Sequence, residues 1–237
     1  MARTVDAEAY AAKRNEILDV MQQFMFTQGY ENTSIKDILR ELEISSGAFY
    51  HYFDSKPALL DAFIARIKEG TEISLLPILN NPELTAIEKL QGFFDTLDNL
   101  RMENRADIVK LSRVWYTDAN AIVRQKVDEA ITRQRAPLLA EIVHQGVQEG
   151  VFSTPYPDQS GEVILSLFQG MGNIHAQLLF SGDQSLSEQQ VIEKIIAVYD
   201  AYMNAIERFL GAPTDSLRRS NDVETVEMWV KAAKDDV

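Results

Sequence analysis

The 237-residue chain has no cysteine and only three histidines, His51, His144 and His175. Without thiols there are no disulfides and no thiolate chemistry, and the ligands a transition-metal site needs are scarce. No Walker-type phosphate loop, GxGxxG, HExxH or nucleophile elbow occurs, so the enzyme classes those patterns carry are not expected. There is no secretory leader and no uninterrupted apolar run of about eighteen residues, which predicts a cytoplasmic protein that makes no use of a membrane. Positive charge is also short: 23 Lys and Arg stand against 36 Asp and Glu, for a net charge of −13. Such a chain cannot coat nucleic acid. Only a local basic face could hold a phosphate, because salt limits exposed charges to a reach of about 8–10 Å. Residues 1–56 carry −3 of the total and the remaining 181 carry −10.

Segments alternating with period two are absent as well, and no internal repeat is found. What fills the chain is helical periodicity. Ile35, Ile38, Leu39 and Leu42 fall on one helical face, with Ser34 and Asp37 spaced as a capping box. After Glu43-Ile44 comes Ser45-Ser46-Gly47-Ala48-Phe49-Tyr50-His51-Tyr52-Phe53, where Ser45 or Ser46 can cap. Two short capped helices across a tight turn read as a helix-turn-helix, whose second helix suits a DNA major groove. Phe49 and Phe53 would anchor the core side, leaving Ser46, Ala48, Tyr50 and His51 outward. Gly47 costs roughly 1 kcal/mol against Ala in a helix, so it needs a reason, and close backbone approach to another surface is one. The same spacing also fits a plain helical hairpin filled with aromatics.

The residues Gly29-Tyr30-x-x-Thr33-Ser34-Ile35-x-x-Ile38 and Ile44-Ser45-x-Gly47-Ala48-Phe49-Tyr50-x-Tyr52-Phe53-x-Ser55-Lys56-x-x-Leu59 resemble the N-terminal domain of TetR-type transcriptional regulators over roughly residues 10–65. Leu39 and Leu42 stand where that family usually has Ala, and Glu43 where its turn usually has Gly. The resemblance implies an all-α fold of two parts, a three-helix DNA-binding head and a larger helical domain for ligand binding and dimerisation. It implies a DNA face of Thr33, Ser34, Ser45, Ser46, Gly47, Ala48, Tyr50, His51 and Lys56. Thr33, Tyr50, Lys56 and the start of the fourth helix are expected to hold phosphates, and Ser46, Ala48 and His51 to approach base edges.

Along the rest of the chain, residues 1–9 read as a mobile arm and a first helix is predicted over 9–28, closed by Gly29. Lys13 and Arg14 at its start read as a solvated pair. Ser55 caps a fourth helix that carries Leu59, Phe63 and Ile67 and fades between Gly70 and Pro77. Further helices are expected near 84–100, 108–115, 119–148 (bent at Pro137), 158–180 and 187–210, with 211–237 a polar tail holding at most a short helix from Asp222. The last two long helices are apolar on more than one face. Gly172 and Ala176 in one, and Ala197, Ala201 and Ala205 in the other, form stripes of small residues. By the resemblance these build a four-helix homodimer interface; burial inside one chain is the other reading. Phe63, Ile67, Phe94, Leu97, Trp115, Tyr116, Phe168, Asn173 and His175 are candidate lining for a small, largely apolar effector. The expected domains are 1–56, 57–210 and 211–237. The expected function is a non-enzymatic repressor, without cofactor or metal, that leaves a palindromic operator when it binds a small molecule. A protein-interaction adaptor or a helical ligand-binding protein of the same fold is the alternative.

Overall fold

A computed structural model describes residues 2–103, 105–180, 185–217 and 223–235, with the side chains of 2–6, 67, 68, 70–73, 105–107 and 235 outside the description. Among the described residues every regular element is helical: α1 (Ala2–Thr27), α2 (Ile35–Glu41), α3 (Ser46–Tyr50), α4 (Lys56–Leu79), α5 (Ala86–Glu103), α6 (Arg105–Trp115), α7 (Ala121–Gln148), α8 (Ser160–Phe180), α9 (Glu188–Leu210) and α10 (Val223–Asp235). The chain divides into two compact units, one of Met1–Gly70 with Val114–Val127, the other of Thr71–Arg113 with Asp128–Val237. The first is larger than the expected head of residues 1–56, and the divisions fall inside α4, at the end of α6 and inside α7.

Three expectations are corrected. Residues 2–9 are not an arm but the opening turns of α1, since nothing before Gly29 breaks a helix. The fourth helix does not fade at Gly70; α4 passes through Pro77, which sits in its last turn, and ends only at Leu79. The C-terminal segment is not a polar tail. Leu217 is buried in the main core of the second unit, and Val226 and Val230 of α10 pack with Ile192 and Ile195 of α9. The buried Glu207 carboxylate accepts the amides of Asp215 (3.2 Å) and Leu217 (2.9 Å), Lys234 pairs with Glu188 at 3.1 Å, and the Arg113 guanidinium donates to the Ala233 carbonyl.

In the first unit, Ile17, Leu18, Met21 and Met25 of α1 are buried, as are Ile38 of α2, Phe49 of α3 and Leu59, Leu60 and Phe63 of α4. Gly29 turns the chain at φ +86°, and a Cβ there would lie 2.6 Å from the Cβ of Ala119. The next residue is held by Asn120, which is wholly buried. Its side-chain oxygen accepts the Tyr30 amide at 2.8 Å, and its Nδ2 donates to the carbonyls of Met25 (3.0 Å) and Val114 (3.1 Å). Arg66 of α4 adds a clamp on α1 through Asp19 and Gln22.

In the second unit, Leu90, Phe93 and Phe94 of α5 pack with Leu139 and Val143 of α7, Ile164 of α8 and Met203 and Ile206 of α9. Phe152 fills the space over Gly146, and Gly170 of α8 faces the Tyr202 ring of α9. His175 is half-buried with Nε2 3.2 Å from the Ile195 carbonyl. Burial pushes its pKa below the usual value, and the charge of Arg101 acts the same way against the opposing hydrogen bond. As pH falls through about 6.5, the unfolded chain therefore takes up a proton before the folded one, and stability drops. We expect the urea midpoint to be lower at pH 5.5 than at pH 7.5, and His175→Gln to remove part of that difference; an identical pH dependence in the variant would contradict the assignment.

Candidate nucleic-acid interface

The reading motif is built from two caps and one strained turn. Ser34 caps α2 by accepting the Asp37 amide, and Asp37 returns the bond to the Ser34 amide at 2.9 Å and accepts its hydroxyl at 2.6 Å. These bonds hold the Asp37 carboxyl below its ordinary pKa, and the Arg40 guanidinium 2.9 Å away adds to the effect. Between the helices Glu43 takes a left-handed conformation at φ +52°, a region that costs a residue with a Cβ about 1 kcal/mol. Ser45, rather than Ser46, caps α3 by accepting the Ala48 amide at 3.2 Å.

Helix α3 buries Phe49 and leaves Ser46, Gly47, Tyr50 and His51 exposed, with Ala48 half-buried. Its end is braced by aromatic contacts that sequence reasoning missed. The Tyr10 ring of α1 lies edge-on to His51 at 5.5 Å and 4.8 Å from Tyr52. Gly47 is the telling position. A Cβ there would meet only the Ser45 hydroxyl, at 3.9 Å, so nothing inside the protein requires glycine. Without a side chain, the exposed backbone there is open to close approach from outside. Gly47→Ala should therefore raise stability by about 0.5–1 kcal/mol and weaken operator binding at least about tenfold through overpacking. Glu43→Gly should also stabilise, by about 1 kcal/mol, yet keep or improve DNA affinity because it removes a negative charge. Melting curves and gel retardation on both variants check this; Gly47→Ala binding as well as wild type would contradict it.

The phosphate contacts need revision. Thr33 does not face outward: it is 2% exposed, its hydroxyl donates to the Gly29 carbonyl at 2.9 Å, and Gln28 donates to it. The Ser34 and Ser45 hydroxyls are spent on caps. At the start of α4, Pro57 has no N–H and the Ala58 amide is taken by Ser55 at 3.2 Å, so that helix end offers an anion less than expected. Lys56 is half-buried, with Nζ 2.6 Å from the Tyr30 carbonyl and 3.9 Å over the Tyr30 ring. Burial pushes its pKa down, against the pull of Glu31. It ties the head together and has donors to spare for one phosphate. Lys13 is paired with Glu16 at 2.7 Å, while Arg14 lies 4.9 Å over the Phe53 ring.

The effector candidates are divided between the two units. Phe63, Trp115 and Tyr116 belong to the first unit, where Phe63 is core and Arg124 lies 5.5 Å over the Tyr116 ring. In the second unit Phe94 and Phe168 stack at 4.6 Å and fill space, Leu97 packs against the core, and Asn173 is exposed. The side chain of Ile67 lies outside the described residues. Of the small-residue stripes, Ala197 and Ala201 are exposed and Ala205 and Gly172 half-buried, but Ala176 is buried within its own chain. Pro157–Phe180 has the length and mean hydropathy, 1.2, of a membrane span, and only 22% of that window is buried. Glu162, Asn173 and Gln177 interrupt its exposed apolar surface.

Residues 17–63 match the family model for bacterial regulatory proteins of the tetR family, and residues 103–181 match that for the tetracyclin repressor-like C-terminal domain. The HTH-type transcriptional repressor KstR2 of Mycobacterium tuberculosis is 22% identical over 190 residues, covering 79% of this chain and 90% of that one. The HTH-type regulator YuxN of Bacillus subtilis is 44% identical over 66 residues, 28% of this chain and 23% of that one. A crystal structure of a tetR-family regulator from Shewanella sp. PV-4 superposes with a TM-score of 0.55 at 19% identity, over 81% of this chain and 97% of that one, which supports the fold. With the two family models spanning more than half its length, and with a capped helix-turn-helix presenting Gly47 to an outside surface, the chain belongs to the TetR family of DNA-binding transcriptional regulators.

Proposed function

We propose that the protein is a cytoplasmic repressor that binds a palindromic operator as a homodimer, is released by a small-molecule effector, and has no enzymatic activity. The observation that carries the reading is the outward face of α3, where Gly47 and its neighbours Ser46, Ala48, Tyr50 and His51 leave room for a base-pair edge. Two heads are needed to read half-sites about 34 Å apart, and the exposed Ala197 and Ala201 on α9 supply a surface for joining them.

The test is selection of bound duplexes from a randomised pool, followed by gel retardation. A palindrome retarded at physiological salt is expected, with Ala48→Glu abolishing the shift. The cations near α3 are few, so the affinity should fall only gently with salt. A slope of log K against log salt corresponding to about three or four phosphates per half-site is expected. No shift in any duplex, or a selected sequence without two-fold symmetry, would overturn the proposal.

A further inference from the structure

His51 closes α3, and its backbone is fixed, with the amide donating to the Gly47 carbonyl at 3.2 Å. What stays free on an exposed residue is the side chain. An imidazole that turns between rotamers must be ordered anew at each binding event. Here two rings take up that freedom. The Tyr52 ring stands 5.0 Å from the imidazole at 79° and the Tyr10 ring 5.5 Å away at 83°, both in the edge-to-face arrangement that aromatic pairs prefer. The two tyrosine rings lie 4.8 Å apart, so all three form one cluster. Tyr52 follows His51 in the chain, whereas Tyr10 is brought from α1, 41 residues away. Arg14, one turn further along the same face of α1, lies 4.9 Å over the Phe53 ring. Tyr10 is itself 39% exposed, outside the buried core of its unit. Its hydroxyl is 3.5 Å from the His51 carbonyl, too long for a strong hydrogen bond, which leaves the ring as the part that acts.

We propose that Tyr10 is a positioning residue for DNA reading. Without touching a base, its ring holds the His51 imidazole in the direction from which it meets the operator, and so sharpens the preference at the base pair His51 approaches. The proposal rests on the operator binding and the outward face of α3 proposed above.

The test is a double-mutant cycle of Tyr10→Ala and His51→Ala, measured by gel retardation on the selected operator and on duplexes changed one base pair at a time. Tyr10→Ala is expected to weaken operator binding about threefold to tenfold, and Tyr10→Phe less than about twofold, since the ring remains. In the His51→Ala background the Tyr10→Ala change should cost less than about twofold. Both single alanine variants should lose discrimination at the same base pair, a readout that a smaller folded fraction would not move. Tyr10→Ala also removes a contact on Tyr52, but damage to the head by that route would persist without His51, and the cycle separates the two. Additive effects, preference relaxed at different base pairs, a Tyr10→Phe protein as weak as Tyr10→Ala, or a His51→Ala protein that binds as wild type would each overturn the proposal while leaving operator binding standing. A wild-type protein that retards no duplex would overturn operator binding, and this inference with it.

Discussion

Asn120→Ala is expected to destabilise the first unit by about 3–5 kcal/mol, the largest single-residue effect in the head. The substitution removes one acceptor and two donated bonds at once, leaving the Tyr30 amide and the Met25 carbonyl without this partner beside a side chain that is 0% exposed, while the Val114 carbonyl keeps the amide and hydroxyl of Thr117. A melting temperature lower by roughly 8–15 °C follows for a chain of this size. Asn80→Ala, at an exposed position, serves as the control and should be nearly silent. A melt of Asn120→Ala within about 2 °C of wild type would mean that the turn at Gly29 holds without its buried amide.

The second large effect falls on assembly. Ala201 is exposed in the protomer, so Ala201→Glu should leave the protomer's own stability within about 0.5 kcal/mol. In a two-fold dimer joined through α9 it would bury two unpaired charges, one from each copy, at a cost of at least about 3 kcal/mol. The dimer should then dissociate more than about a hundredfold more readily, and operator binding should fail although the helix-turn-helix is untouched. Sedimentation at micromolar concentration reads this directly. A wild-type protein sedimenting as a monomer would remove both the interface and the two-headed operator model.

The features legible in the sequence were those encoded within a few residues. Ser34 with Asp37, Ser45 before Ala48, Ser55 before Ala58 and Gly29 after α1 are local signals, and each is found at its expected place. What escaped is set by partners distant in the chain. Asn120 lies in an unremarkable Thr-Asp-Ala-Asn-Ala stretch, and its partners Met25 and Tyr30 are 95 and 90 residues away. Thr33 was placed on the DNA face by the family resemblance, but the turn at Gly29 folds its hydroxyl inward. Many of the effector candidates are aromatic, and helical spacing cannot distinguish a ring that lines a void from one that fills it, as the Phe94–Phe168 stack does.

Because the Lys56 ammonium is fastened to the Tyr30 carbonyl and ring, the chain leading into α2 and the first residue of α4 are joined, and Arg66 joins α4 to α1 further along. Any force arriving through α4 moves α1, the turn and the reading helix as one block. The side chains that meet base edges keep their mutual geometry while the block is displaced. An effector acting by this route would lower the association constant of every operator by one common factor and leave their rank order unchanged: it would set how full the regulator's sites are, while the sites it prefers stay the same.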